Sequence, residues 1–411
     1  MPRRVVAVLA LTVCAVLTGE LVLAWTTYGT ADVLIYNSFA ATIREVGPIG
    51  IYALDEPGLN VYNHPPLVGW WLSAVNWATD LGLPFGFVLR LPSTLAHGAT
   101  VLLVFAILRR RVALRVAVAS ALMVAFSPIL VIISGFHGNN DSVVAALTIA
   151  AVFLLVDRRS PALAGGAFSL AISVKLVPAV ALPLLLVAAW RLGRRQVGWF
   201  AAGALPIFAL LWLPVLLRVP SGFAEHVLAY NGEGFPRVWG LYFLTDWVGA
   251  SEGVLTFYVS VGSYVVLAVC ALLPTLVVYR SPMLAPAALG LALSLFLTLT
   301  PSWAPQYLAW IGATVFLVEF WSAAFFTVSV GAVYVYFYSY WNEFKAWTTA
   351  DVAPPTPAQN PILVFAWACT ALTATVGLLR LFRRDRRAPP PAVAQSSLPA
   401  NAAASSSNEI R

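Results

Sequence analysis

The sequence predicts an all-α fold, a polytopic membrane helical bundle of about twelve transmembrane helices with further helices in its outer-face loops. Three observations carry this. Only 10% of the 411 residues are charged and 60% are hydrophobic, where a soluble domain carries roughly 25% charged residues. Mean hydropathy is +0.84. Apolar runs of about 20 residues, the length that crosses a bilayer's hydrocarbon core, recur along the chain.

The net charge of +7 does not point to nucleic acid. The arginines sit mostly in short clusters between apolar runs, as the positive-inside rule places them on cytoplasmic loops. Cys14, Cys270 and Cys369 all fall within apolar runs and are expected to be small core hydrophobes rather than disulfide or metal partners. No Cys/His spacing of a metal site, phosphate-binding glycine loop, nucleophile elbow or dinucleotide fingerprint occurs.

The first span is expected over Val5–Trp25, longer than a cleaved leader's apolar core, with the N-terminus cytoplasmic. A long outer segment over 26–87 follows, with helical periodicity around Val33–Val46 and an interfacial or re-entrant helix over Leu67–Ala78, rich in tryptophan. Val88–Leu108 returns to Arg109–Arg111. Val116–Ile133 goes out and Ser142–Val156 comes back to Arg158–Arg159.

Between that cluster and Arg191–Arg195 the chain has room only for a hairpin of two short helices, broken near Lys175 and Pro178. Short broken helices inside a membrane bundle commonly mark a site. Val197–Leu217, Val254–Tyr279, Met283–Leu299, Leu308–Phe320, Trp321–Tyr340 and Ile362–Phe382 complete the crossings. Residues 1–387 are thus expected to form one integral membrane domain, and the Pro/Ala/Ser-rich 388–411 a disordered cytoplasmic tail. In this topology every arginine cluster is inside and the polar, non-cationic motifs are outside.

Those motifs hold hydrogen-bonding chemistry. Asp32 opens the outer segment; it is equally suited to capping the next helix and to deprotonating a sugar hydroxyl. His137-Gly138-Asn139-Asn140-Asp141 suits a tight turn, since glycine and asparagine accept positive φ, and also suits binding of hydroxyls or a phosphate. Lys175 in an apolar hairpin costs several kcal/mol unless paired or snorkelling; an ammonium there is a fitting partner for phosphate. Glu233 and Arg237 share a glycine-rich loop, in which they either pair or bind ligand, and Gln306 and Tyr307 precede a late span. The acidic pair Asp55-Glu56 competes with Asp32 for the role of base. With no soluble domain to hold a nucleotide sugar, a sugar donor would have to be lipid-borne.

Asp32 with Tyr36, the run Tyr62-Asn63-His64-Pro65-Pro66, His137 to Asp141, the Lys175…Pro178 hairpin and Pro305-Gln306-Tyr307 together resemble the GT-C polytopic glycosyltransferases, over roughly residues 1–320. The nearest branches are the bacterial polyprenyl-phosphate-mannose type and the dolichyl-phosphate-glucose type. The resemblance implies inverting transfer of a hexose, mannose or glucose, from a polyprenyl-phosphate donor to a lipid-linked or cell-envelope glycan on the extracytoplasmic face of a multi-pass cell-membrane protein. No metal or other cofactor is expected.

Asp32 would be the base, and Lys175 and Arg237 would hold the donor phosphate. Tyr36, Asn63, His64, His137, Asn139, Asn140, Asp141, Glu233, Gln306 and Tyr307 would contact substrate. Two departures stand out: the 137–141 run is not the Trp-Gly-Gln-x-Asp form common in bacterial relatives, and no soluble domain follows the last span. The alternatives are a transporter or flippase of lipid-linked glycans, which would pair charges inside spans, and a glycan polymerase or ligase.

Overall fold

The computed structural model describes residues 3–54, 61–230, 240–341 and 360–384. Asp55, Glu56, Glu233, Arg237 and the tail expected at 388–411 lie outside the described residues. The chain opens with α1 (Arg3–Thr26), α2 (Ala31–Gly50, kinked at Gly47-Pro48), α3 (Pro66–Asp80) and α4 (Phe85–Leu108). There follow α5 (Leu114–His137), α6 (Asp141–Val152, prolonged by a π turn to Asp157) and α7 (Pro161–Val174). Then come α8 (Val177–Leu192), α9 (Arg194–Arg218) and α10 (Gly240–Trp247). The chain closes with α11 (Glu252–Arg280), α12 (Pro282–Leu299) and α13 (Pro305–Val318), then α14 (Phe320–Trp341) and α15 (Asn360–Arg384).

Among the described residues eight helices are long and apolar enough to cross a membrane: α1, α4, α5, α9, α11, α12, α14 and α15. The other expected crossings fall on the shorter α6, α7, α8 and α13. This is the expected helical membrane bundle, with the Lys175 hairpin realised as α7 and α8. The core sits between helices, while leucines and tryptophans such as Leu210, Leu217 and Trp199 face outward, as a lipid-facing surface requires.

Close approach of backbones holds α7 against α9. A Cβ on Gly203 would stand 1.8 Å from the Ala162 carbonyl oxygen, and one on Gly165 2.0 Å from that of Phe200. Small residues at such crossings let dispersion forces act where no hydrophobic drive exists between helices in lipid.

The cysteine expectation needs one correction. Cys270 and Cys369 are buried, but Cys14 is exposed on α1, because the apolar run around it faces outward at that position rather than into the bundle. Two buried acids outside the polar end are paired: Glu20 of α1 lies 2.5 Å from His97 of α4, both wholly buried, and Glu319, between α13 and α14, lies 3.2 Å from Arg380.

Candidate active site

The turn between α1 and α2 positions Asp32. Thr30 is the N-cap of α2, its hydroxyl accepting the Asp32 N–H at 3.3 Å and donating to the His137 carbonyl at 2.8 Å. Asp32 therefore is not the cap; its carboxylate is released for other partners. His137 Nε2 donates to Oδ2 at 3.0 Å and Asn139 Nδ2 donates to the same oxygen at 2.9 Å. No hydrogen bond reaches Oδ1 from the described residues, and the side chain keeps 27% exposure.

Tyr338, on α14, lies 2.8 Å from His137 Nδ1. Partners on both ring nitrogens fix the imidazole with Nε2 toward Asp32. Burial pushes the Asp32 carboxyl up, but the charge of His137, then the hydrogen bonds of His137 and Asn139, then the charge of Lys175, pull it further down, so it sits below the ordinary carboxylate range.

The segment that carries His137 is irregular for a reason. Ile132–His137 forms a π turn at the end of α5 and stops at Gly138, whose φ is +90°. A Cβ there would stand 2.4 Å from Val33 Cγ2, so the turn packs against α2 only with glycine. The carbonyls such a turn frees are taken by α4. Arg90 Nη1 donates to the Gly135 carbonyl at 3.1 Å, Thr94 to that of Ser134 at 3.4 Å and Ser93 to that of Asn139 at 2.6 Å.

Beside it sits a second charged group. Lys175 Nζ donates to Asp141 Oδ1 at 2.7 Å, and Trp310 Nε1 donates to the same oxygen at 2.6 Å. The ammonium also stands over the rings of Tyr307 at 4.7 Å and Trp310 at 5.1 Å, close enough for cation–π attraction. Asp141 is fully buried, while the lysine side chain retains 20% exposure.

Tyr36 links the two groups: its hydroxyl accepts Asn140 Nδ2 at 3.2 Å and its ring stacks on His64 at 5.0 Å. Burial, then the Lys175 charge, push the His64 imidazole down to about 3, so it is neutral. The structure thus brings Asp32, Tyr36, His64, His137, Asn139, Asn140, Asp141, Lys175 and Tyr307 to one end of the bundle. Asn63 lies beside Tyr230, and Gln306 is half-buried beside Tyr307.

Sequence reading missed Thr30, Arg90, Ser93, Thr94, Trp310 and Tyr338. One signal was available. Arg90, Ser93, Thr94 and His97 recur at the spacing of a single helix face, a polar stripe in a span that lipid alone does not tolerate.

A bundle of this architecture, with broken helices around a polar site at one end, has the GT-C fold of polytopic membrane glycosyltransferases. Residues 63–217 match the family described as dolichyl-phosphate-mannose-protein mannosyltransferase. The crystal structure of ArnT from Cupriavidus metallidurans bound to undecaprenyl phosphate is similar in fold. Its TM-score is 0.50 at 14% identity, covering 92% of this chain and 77% of that one. An oligosaccharyltransferase from Archaeoglobus fulgidus, tethered to an acceptor peptide with an NVT sequon, aligns at a TM-score of 0.44 and 14% identity over 91% of this chain and 55% of that chain. No curated protein matches the chain by sequence.

Proposed function

We propose that the chain is a membrane glycosyltransferase that moves a hexose, mannose or glucose, from a polyprenyl-phosphate donor to a lipid-linked or cell-envelope glycan on the extracytoplasmic face. Transfer is inverting and Asp32 is the general base. One observation carries this reading: the Asp32 carboxylate is fixed through Oδ2 by two donors, while Oδ1 stays open at a partly exposed position.

Chemically, Oδ1 takes the proton of an acceptor hydroxyl as that oxygen attacks the anomeric carbon. The C1–O bond to phosphate breaks on the opposite face, and polyprenyl phosphate departs with the bonding pair. Lys175 has three N–H donors and spends one on Asp141, leaving donors for the leaving phosphate. Arg237 is the second phosphate partner in this reading. His64, neutral and stacked on Tyr36, and the amides of Asn139 and Asn140 are suited to sugar hydroxyls.

The test is Asp32→Asn in membranes supplied with a panel of labelled polyprenyl-phosphate sugars. Transfer should fall by roughly 10²–10⁴-fold with donor binding retained. Full activity of that variant would sink the assignment of the base, and activity only with free nucleotide sugars would sink the lipid donor.

A further inference from the structure

We infer that Arg90 is a positioning residue: by tying the end of α1 to the π turn of α5, it holds Asp32 and His137 in register with each other. This rests on the reading of Asp32 as base. The two partners come from segments 105 residues apart, and each is reached through a backbone that a side chain of α4 grips.

The geometry of the grip is unusual. The Arg90 side chain has no exposure and spans two elements. Nη1 donates to Thr27 Oγ1 at 3.0 Å, to the Gly135 carbonyl at 3.1 Å and to that of Leu23 at 3.4 Å; Nη2 donates to the Thr27 carbonyl at 2.9 Å. Leu23 lies in the last turn of α1 and Thr27 just follows it, at the end where the helix dipole is negative; the Leu23 carbonyl also accepts the Thr27 N–H at 3.0 Å. Thr27 is five residues before Asp32, and Gly135 is two before His137.

No carboxylate pairs with Arg90 among the described residues, so its charge is balanced by carbonyl dipoles and the Thr27 hydroxyl. Nε has no acceptor. Space is kept for it: a Cβ on Gly86 would stand 2.9 Å and one on Gly29 3.1 Å from Nη2.

A purely structural post at this place would be better filled by an apolar side chain. A buried charge costs several kcal/mol, and substitution of buried ionic groups by well-packed hydrophobes is often neutral or stabilising. What an apolar residue cannot do is bond two backbones at once. Thr94 and Ser93 continue the same face onto Ser134 and Asn139, so α4 splints the whole turn, and of these three Arg90 is the one that bonds both the turn and the end of α1.

The experiment uses full-length protein and the Arg90→Met, Arg90→Lys and Thr27→Val variants. Two readouts are taken: pH profiles of kcat with a polyprenyl-phosphate sugar, and ¹⁵N NMR of the imidazoles, tractable with 4 histidines. Arg90→Met should lower kcat about a hundredfold, the scale of a 1 Å misplacement. Donor Kd should stay unchanged, the acid limb should move to higher pH, and the His137 Nε2–H signal of a hydrogen bond to carboxylate should vanish. Arg90→Lys should recover part of kcat.

Wild-type kcat and acid limb in Arg90→Met would overturn the inference. Should Arg90→Met fail to fold, Thr27→Val carries the test, because it removes one acceptor; an unmoved His137 signal and kcat there would likewise overturn it. The NMR arm is independent of the base assignment. If Asp32→Asn remains active, the proposed function fails, while loss of the His137 signal on changing Arg90 still supports the positioning role.

Discussion

Lys175 Nζ lies 2.7 Å from Asp141 Oδ1, and the aspartate has no exposure at all. The pair is a buried salt bridge with the lysine end open and the acid end closed. Its stability therefore depends on both partners, but its ligand chemistry belongs to the lysine.

Asp141→Asn leaves the ammonium uncompensated in a low-dielectric site. Removal of one partner of a buried pair costs about 3–5 kcal/mol, read as a lower Tm in detergent. Lys175→Met combined with Asp141→Asn should restore most of that Tm without restoring sugar transfer. Recovery of activity in the double variant would remove Lys175 from phosphate binding.

The pH profile follows from the sign of the Asp32 shift. The proposed base must be ionised, and its carboxyl sits below the ordinary range, so activity should persist as pH falls through the usual carboxylate values and fail only beneath them. His137→Gln removes the imidazole that pulls the carboxyl down, and the acid limb should move to higher pH. Tyr338→Phe should move it the same way by a smaller amount, because the phenol at 2.8 Å no longer holds the imidazole against Asp32.

Gly138→Ala confronts both a left-handed backbone at φ +90° and Val33 Cγ2 at 2.4 Å. A non-glycine residue held there costs roughly 1–3 kcal/mol. Since relief must displace either His137 or α2, kcat should fall more than the loss of Tm alone accounts for, measured on protein that remains folded.

Gly203→Val tests the frame rather than the site. With a Cβ already 1.8 Å from the Ala162 carbonyl oxygen, α7 and α9 must separate. The hairpin bearing Lys175 moves with them, and Tm and donor affinity should drop together.

Much of the fold was legible because membrane crossing is written in composition: long apolar runs and arginine clusters need no tertiary knowledge. The same logic exposed the short hairpin around Lys175, since two arginine clusters left too little chain for full spans. Asp32, His137 and Asp141 could be picked out as polar groups beside spans. Their pairing could not, because which acid meets which base depends on turns that bring residues over a hundred positions apart into contact. Thr30 shows the limit well. Both it and Asp32 are good helix caps, and only packing against the His137 carbonyl decides that the threonine caps and the aspartate is left open. Tyr338 and Trp310 read as ordinary aromatic residues of spans; a phenol or indole N–H aimed inward has no periodic signature.

The π turn at Ile132–His137 has a consequence that no substitution reproduces. Such a turn carries one residue more than a regular helix would need, and each residue of an α-helix rotates the chain by about 100°. Deleting a single residue from Val131–Ser134 would let α5 run on as a regular helix and wheel the imidazole out of line with Asp32. The segment thus works as a phase-shifter between the periodicity of the span and the bearing of the histidine, and its length in residues matters as much as their identity.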